Sequence, residues 1–278
     1  MATLLSRIML RGGMELKKIS RKPFSGFLSP FLSTENVPVI IHCCYHKIGT
    51  VWFERVLRDV AAEYGISYGT GSNYQNIHRF ETTRNCGVFV DYGSHVKLDK
   101  LGNYVGSHMI RDPRDVVISG YFYHLWTTEK WANLPMVEFG AMSYREYLNN
   151  LDQDEGLLAE IRRLWFWIPH MLNWNYNNPR IYEIKYEDII ANESKVFREM
   201  FKHYGFHDKA VDRCCRLAEK YTFKKLTDDK SGKKKKSHLR SGKTGEWKNI
   251  FNNEHKKLFK ELYPRAVPAL GYEKDDNW

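Results

Sequence analysis

The sequence predicts an α/β fold: a single domain with a central parallel β-sheet flanked by helices and a P-loop-like strand, loop and helix near its start. Three observations predict it. Short β-rich runs alternate with stretches of helical periodicity, as in parallel strands joined by crossover helices. The first run, VPVIIHCC at 37–44, passes through a loop containing Gly49 directly into TVWFERVLRDVAAEY at 50–64. A later run, NYVGSHMI at 103–110, is followed at once by Pro113, placed as the first turn of a helix.

Each element has its local reason. VPVIIHCC is short, β-branched and flanked by Pro38, which reads as a buried strand. In 50–64, Phe53, Val56, Leu57, Val60, Ala61 and Tyr64 share one helical face. Further strands are expected at GVFVDY (87–92), NYVGSHMI (103–110) and PRIYEIKY (179–186). Helices are expected over 113–125, 143–150, 157–175, 193–204, 208–220 and 254–263, with Pro169, which lacks an N–H, bending the third. KSGKKKK at 230–236 reads as a solvated loop. Residues 37–278 are expected to form the domain and 1–36 an N-terminal arm. Glu15 is the only acid in residues 1–34, which leaves an organelle transit segment open.

Composition narrows the function. A chain of 278 residues, 42% hydrophobic and 14% aromatic, can bury a sizeable core. No apolar run approaches the roughly 20 residues of a membrane-spanning helix, so a soluble protein without a membrane partner is expected. A net charge of +10 favours an anionic partner: nucleic acid, a membrane surface or a ligand with several phosphates. Cys43, Cys44, Cys86, Cys214 and Cys215 are odd in number with two adjacent pairs, which suits a reducing, cytoplasmic setting better than a disulfide framework. HCCYH at 42–46 raises a metal site, but no second ligand pair follows at zinc-like spacing, and no metal is expected.

Three stretches carry chemistry. In YHKIGTVW (45–52), Gly49 lets a ligand approach the backbone, Thr50 brings a hydroxyl to the helix start, and Lys47 adds charge where free N–H groups favour an anion. In RDPRDVVIS (111–119), Arg111 ends a strand and Ser119 lies about two turns into the next helix, so guanidinium and hydroxyl are placed to share one phosphate. The alternative is that Arg111 pairs with Asp115 and Ser119 only packs. In RSGKTGEWK (240–248), the Gly-Lys-Thr imitates a Walker loop, yet Ser237 stands at its first glycine and no strand leads in. There Arg240, Gly242, Gly245 and Lys248 supply charge and open backbone, and Trp247 is placed to anchor the end.

In order and spacing these three motifs resemble those of the cytosolic-type sulfotransferases, which use 3'-phosphoadenosine 5'-phosphosulfate (PAPS) as donor. The resemblance runs from about Val37 to Phe251. It implies that Lys47, Gly49, Thr50, Val51 and Trp52 hold the 5'-phosphosulfate end, with Lys47 stabilising the leaving phosphate oxygen. It implies that Arg111, Ser119, Arg240, Ser241 and Gly242 hold the 3'-phosphate, and that Tyr186 and Phe223, with Trp52, surround the adenine. His46 stands for the family's Pro, Ile48 and Val51 for Ser and Thr, and Ser241 for Lys; these departures remove hydroxyl and charge contacts. The family's base is the His of K-T-H, matched by His95 of DYGSHV with Gly93 in place of the Lys; His108 in the following strand competes. The implied reaction is in-line sulfuryl transfer to a hydroxyl or amine of a small-molecule acceptor. The aromatics between Tyr121 and Trp174 divide between core and acceptor pocket in a way the pattern leaves open. The family's dimerisation motif is poorly matched by KNIFNNEHKK, which leaves monomer and dimer open. The alternatives are a P-loop-type nucleotide or small-molecule kinase and a basic nucleic-acid-binding module.

Overall fold

A computed structural model of the chain describes residues 29–32, 37–72, 87–222, 225 and 242–278. The chain groups into two compact units. One, from Gly12–Ile110 and Asn175–Lys233, holds every named strand among the described residues: β1 Val39–Cys43, β2 Ser67–Gly71, β3 Gly87–Asp91, β4 Tyr104–Ile110 and β5 Ile181–Lys185. They form one five-stranded sheet in the order β2-β3-β1-β4-β5, and every pair is parallel.

β1 is central and buried along its whole length; its Ile41 lies opposite Phe89 of β3 and Gly106 of β4. A strand covered on both faces needs a continuous apolar run, which VIIHC nearly is. Its one polar member, His42, is accommodated by hydrogen bonding: Nδ1 lies 2.8 Å from the Ser107 hydroxyl, which lies 2.7 Å from the Tyr204 hydroxyl. The His42 ring stacks on Phe53 at 4.3 Å.

Helix Thr50–Tyr64 has the predicted bounds and buries the predicted face, together with Trp52. It stops at Gly65, whose φ of 64° gives the left-handed turn that lets its N–H reach the carbonyls of Ala61 and Ala62. β2 was not expected. SYGTG has two glycines and no apolar alternation, and it becomes a strand through its ladder with β3, Ser67 opposite Gly87 and Gly71 opposite Asp91. Helices Tyr186–Ala191, Glu193–His203 and Asp208–Ala218 complete this unit with short helical turns. Pro30–Leu32 is tied to it, Phe31 bridging to Phe206 and Leu32 N–H donating to the Gly205 carbonyl.

The described parts of Arg111–Trp174 and Lys234–Trp278 form the second unit, which is helical. Its first helix runs Pro113–His124. The helix expected over 157–175 is instead Gln153–Arg163, a 3-10 turn Leu164–Phe166 and a short helix Ile168–Leu172. Asp152 and Glu155 form a capping box that starts the first piece earlier, and Pro169 sits in the first turn of the last, where its missing N–H costs nothing.

Of the aromatics here, Tyr121, Tyr123, Tyr144 and Trp167 are core, and Trp131, Phe139 and Tyr147 pack, partly buried, against the cluster of Tyr144 with Met136, Leu148 and Ala159. Under them Glu160 is buried yet kept below its usual range, because His124 at 2.5 Å, Arg163 and the Tyr144 hydroxyl outweigh its desolvation. Trp165, by contrast, is exposed. Among the described residues, no helix is long and apolar enough to cross a membrane.

Candidate active site

The loop leaving β1 is shaped by its backbone. Lys47 has φ 66° and Gly49 φ 99°, both left-handed, so the chain reverses tightly before Thr50. A side chain at Gly49 would combine that strained φ with contacts at 3.3 Å to Met109 and 3.6 Å to Tyr186. Thr50 donates its hydroxyl to the Tyr45 carbonyl at 2.9 Å, so it closes the loop on itself. Gly49 is the N-cap, and no side chain caps this helix. The Trp52 and Phe53 N–H groups close onto the Gly49 carbonyl at 2.9 and 3.2 Å, so the amides ahead of them, Thr50 and Val51, are the ones placed for a ligand or solvent, with Lys47 half-buried in the same loop.

Two assigned residues of this region lie deeper than a ligand contact requires. Trp52 is wholly buried, edge-on to Phe53 at 6.0 Å and Phe197 at 5.7 Å, so neither face of its ring is open to a base in this conformation. Tyr186 is buried too, but its ring edge lies next to Gly49.

The loop leaving β3 carries His95. The Asp91 carboxylate accepts the Gly93 N–H at 3.1 Å with Oδ1 and the Val96 N–H at 2.9 Å with Oδ2. Ser94, at φ 50°, donates its hydroxyl to the Cys44 carbonyl at 3.2 Å, and the Cys44 N–H donates to the Asp91 carbonyl at 3.0 Å. Cys44 thus ties the His95 loop to the Lys47 loop. His95 is partly exposed, whereas His108 is buried, with Nδ1 2.7 Å from Glu183 and Nε2 3.2 Å from the Tyr45 hydroxyl. Burial pulls the His108 pKa down despite Glu183.

HCCYH does not gather ligands: His42 faces Ser107, and burial raises the Cys43 thiol well above its ordinary value and Cys44 to about 12. Among the described residues no group of three or more His, Cys, Asp or Glu is placed to hold a metal ion.

In the helical unit Arg111 is nearly buried, and its guanidinium donates to the Lys243 carbonyl at 3.1 Å. Asp112 caps the next helix by accepting the Arg114 N–H at 3.0 Å. Asp115 accepts the N–H groups of Gly245 at 2.6 Å and Trp247 at 3.1 Å. Its carboxyl is pushed up by burial, with Arg111 and these two amides opposing. The late segment is therefore fastened at both ends of Lys243–Trp247. Trp247 anchors it, as its position suggested: the Arg114 guanidinium lies 3.6 Å from the Trp247 ring centre and 4.5 Å from that of Trp278, and it pairs with Asp112 and Glu273. Ser119 and Gly242 are both partly exposed, Gly242 with φ 64°.

Phe223, Arg240, Ser241 and the KSGKKKK run lie outside the described residues. Asp91 and the structural role of Asp115 were not singled out from sequence. Each left a trace: an acid closing a strand two residues before a glycine is an Asx-turn pattern, and an acid in a helix's first turn is a ready acceptor for amides.

The described sheet and helices match solved structures. One is mouse sulfotransferase SULT7A1 complexed with PAP, 16% identical with TM-score 0.55, over 83% of this chain and 84% of that one. Another is retinol dehydratase in complex with androsterone and inactive cofactor PAP, 14% identical with TM-score 0.54, over 84% and 82%. At these identities the likeness speaks for the fold. No curated protein matches by sequence. The family model described as sulfotransferase domain matches residues 94–271, well over half of the chain, and so includes His95, the RDPRDVVIS motif and the late segment. The order of motifs, the parallel sheet and this match agree: the chain belongs to the sulfotransferase domain family and is a sulfotransferase.

Proposed function

We propose that residues 37–278 form a domain that transfers a sulfuryl group from PAPS to a hydroxyl or amine of a small-molecule acceptor, in line and without a metal, with residues 1–36 as an arm. The observation that carries this reading is the Lys47–Thr50 loop: a helix start with no side-chain cap, a left-handed Gly49 and a half-buried Lys47, in a chain of this family. Lys47 and the amides of Gly49, Thr50 and Val51 take the 5'-phosphosulfate. Arg111 and Ser119, with Arg240, Ser241 and Gly242, take the 3'-phosphate. Tyr186 and Phe223 flank the adenine, and Trp52 supports the loop from the core.

The acceptor oxygen or nitrogen attacks sulfur and gives its proton to His95. The bond from sulfur to the bridging oxygen breaks, and its electron pair stays on the 5'-phosphate, where the Lys47 ammonium stabilises it most as charge develops. His95 is favoured over His108 by reach: His95 is partly exposed, His108 is enclosed by Glu183 and Tyr45. A small acceptor is supported by the neighbour crystallised with androsterone. The buried free thiols of Cys43, Cys44, Cys214 and Cys215 support a reducing compartment such as the cytoplasm.

Thermal shift in the presence of adenosine 3',5'-bisphosphate, against ATP, tests the donor. Stabilisation by the bisphosphate and little by ATP is expected; a preference for ATP would turn the reading towards a kinase.

A further inference from the structure

Asp91 is 1% exposed, yet it carries a carboxylate where a neutral side chain would avoid the cost of desolvation. Both oxygens are in use, one on the Gly93 amide and one on the Val96 amide, so the carboxyl plane cannot turn without releasing the loop. An asparagine has only one accepting oxygen and could not hold both. Between those amides lies His95. Gly93 has a second role there: a Cβ on it would stand 2.1 Å from His95 Nδ1, so the imidazole occupies the space that any other residue's side chain would fill.

We propose that Asp91 is a positioning residue for sulfuryl transfer: its carboxylate fixes the Gly93–Val96 turn, and Gly93 leaves the seat in which the His95 ring is held to take the acceptor's proton. The inference rests on His95 being the base. It also explains why the family's Lys can be replaced by Gly93 here: the ring is oriented by the turn beneath it. Through Cys44, whose N–H and carbonyl meet Asp91 and Ser94, the same turn sets His95 against the Lys47 loop. Burial lifts the Asp91 carboxyl to about 6, opposed by the amides of Gly93, Val96 and His95, so it is ionised and able to accept both bonds near neutrality.

The test compares wild type, Asp91→Asn, Gly93→Ala, His95→Ala and the Asp91→Asn/His95→Ala double variant. Turnover is measured on phenols of graded acidity, from 2-naphthol to 4-nitrophenol. A misplaced base should cost about 10- to 100-fold in kcat on the least acidic phenol and far less on the most acidic, which needs little help to lose its proton. Affinity for adenosine 3',5'-bisphosphate should not change, and the double variant should be no slower than His95→Ala alone. Histidine ring resonances in ¹⁵N-labelled protein give a readout independent of the acceptor: His95 should shift or broaden in Asp91→Asn and Gly93→Ala.

Equal losses across the phenols, a multiplicative double variant, or unchanged His95 resonances in Asp91→Asn would overturn the proposal. Near-normal turnover of His95→Ala would overturn the base assignment itself. A dead His95→Ala beside a normal Asp91→Asn would remove only the positioning role. If Asp91→Asn fails to fold, Gly93→Ala decides, because it disturbs the ring and leaves the carboxylate in place.

Discussion

The two loops assigned to phosphates are built in opposite ways. After β1, helix Thr50–Tyr64 starts at Gly49 with no side-chain cap, and the available donors are backbone amides with Lys47 beside them. After β4, helix Pro113–His124 is capped by Asp112, and Asp115 in its first turn already binds the amides of Gly245 and Trp247. At that helix start Pro113 has no N–H and the Arg114 N–H is held by Asp112, and its acids would oppose an anion. The charge there has to come from the Arg111 side chain, held by the Lys243 carbonyl. A backbone device tolerates changes in its side chains, which makes the departures Ile48 and Val51 acceptable. A side-chain device depends on every group that fixes the side chain.

The comparison breaks first at Lys47. Lys47→Ala should lower kcat by about 10²–10³-fold, the range for removing one donor aimed at developing charge, with an unchanged melting temperature. Equal loss of kcat and of bisphosphate affinity would show that Lys47 binds rather than catalyses. Arg111→Ala should act the other way, weakening adenosine 3',5'-bisphosphate by about 1.5–3 kcal/mol in calorimetry, the worth of a hydrogen bond to a charged group, with a smaller effect on kcat. Asp115→Asn makes no contact with donor in this reading. It should still lower the melting temperature and loosen the bisphosphate, because one of two amides, Gly245 part-buried or Trp247 buried, loses its acceptor at a cost of about 1–3 kcal/mol.

A pH effect separates the sheet side further. Burial, aided by nearby His108, holds His42 down to about 3. The unfolded chain takes up that proton near 6.5 and the folded one near 3, so this contribution is fully present above 6.5 and falls with acid by about 1.4 kcal/mol per pH unit between those values. Urea midpoints at pH 7, 6, 5 and 4 would show the slope, and His42→Asn should remove it. The smallest effect is expected at Val51→Thr, which restores a family hydroxyl beside amides that already suffice: less than about 1 kcal/mol on bisphosphate affinity. A larger gain would mean that the backbone device is incomplete without hydroxyls.

Much of this was legible in the residues. The β1 run and the Thr50–Tyr64 helix declare themselves by continuous and periodic apolar positions, and Pro113 marks a helix start because its ring suits the first turn. β2 was not legible, since SYGTG becomes a strand only through β3. The break at 164–168 was not legible either, because Pro169 fits the start of a new helix as well as a bend in an old one. At the site, the groups that meet the donor stand in short motifs and could be matched by type. Those that hold them, Asp91 under His95 and Asp115 under Gly245, act through backbone amides, and nothing in a motif says which amide a carboxylate will reach.

The sheet order also bears on how the chain acquires its structure. β4 pairs with β5 by Gly106 opposite Ile181, and the whole of Arg111–Trp174, which folds into the other unit, comes between them in sequence. β1, β3 and β4 are nearer along the chain and can assemble early, while one edge of β4 waits with open N–H and C=O groups for a strand that arrives after a long excursion. Refolding is therefore expected to stall at a four-stranded intermediate whose exposed edge invites pairing between molecules. The yield of active protein should depend on its concentration during that wait.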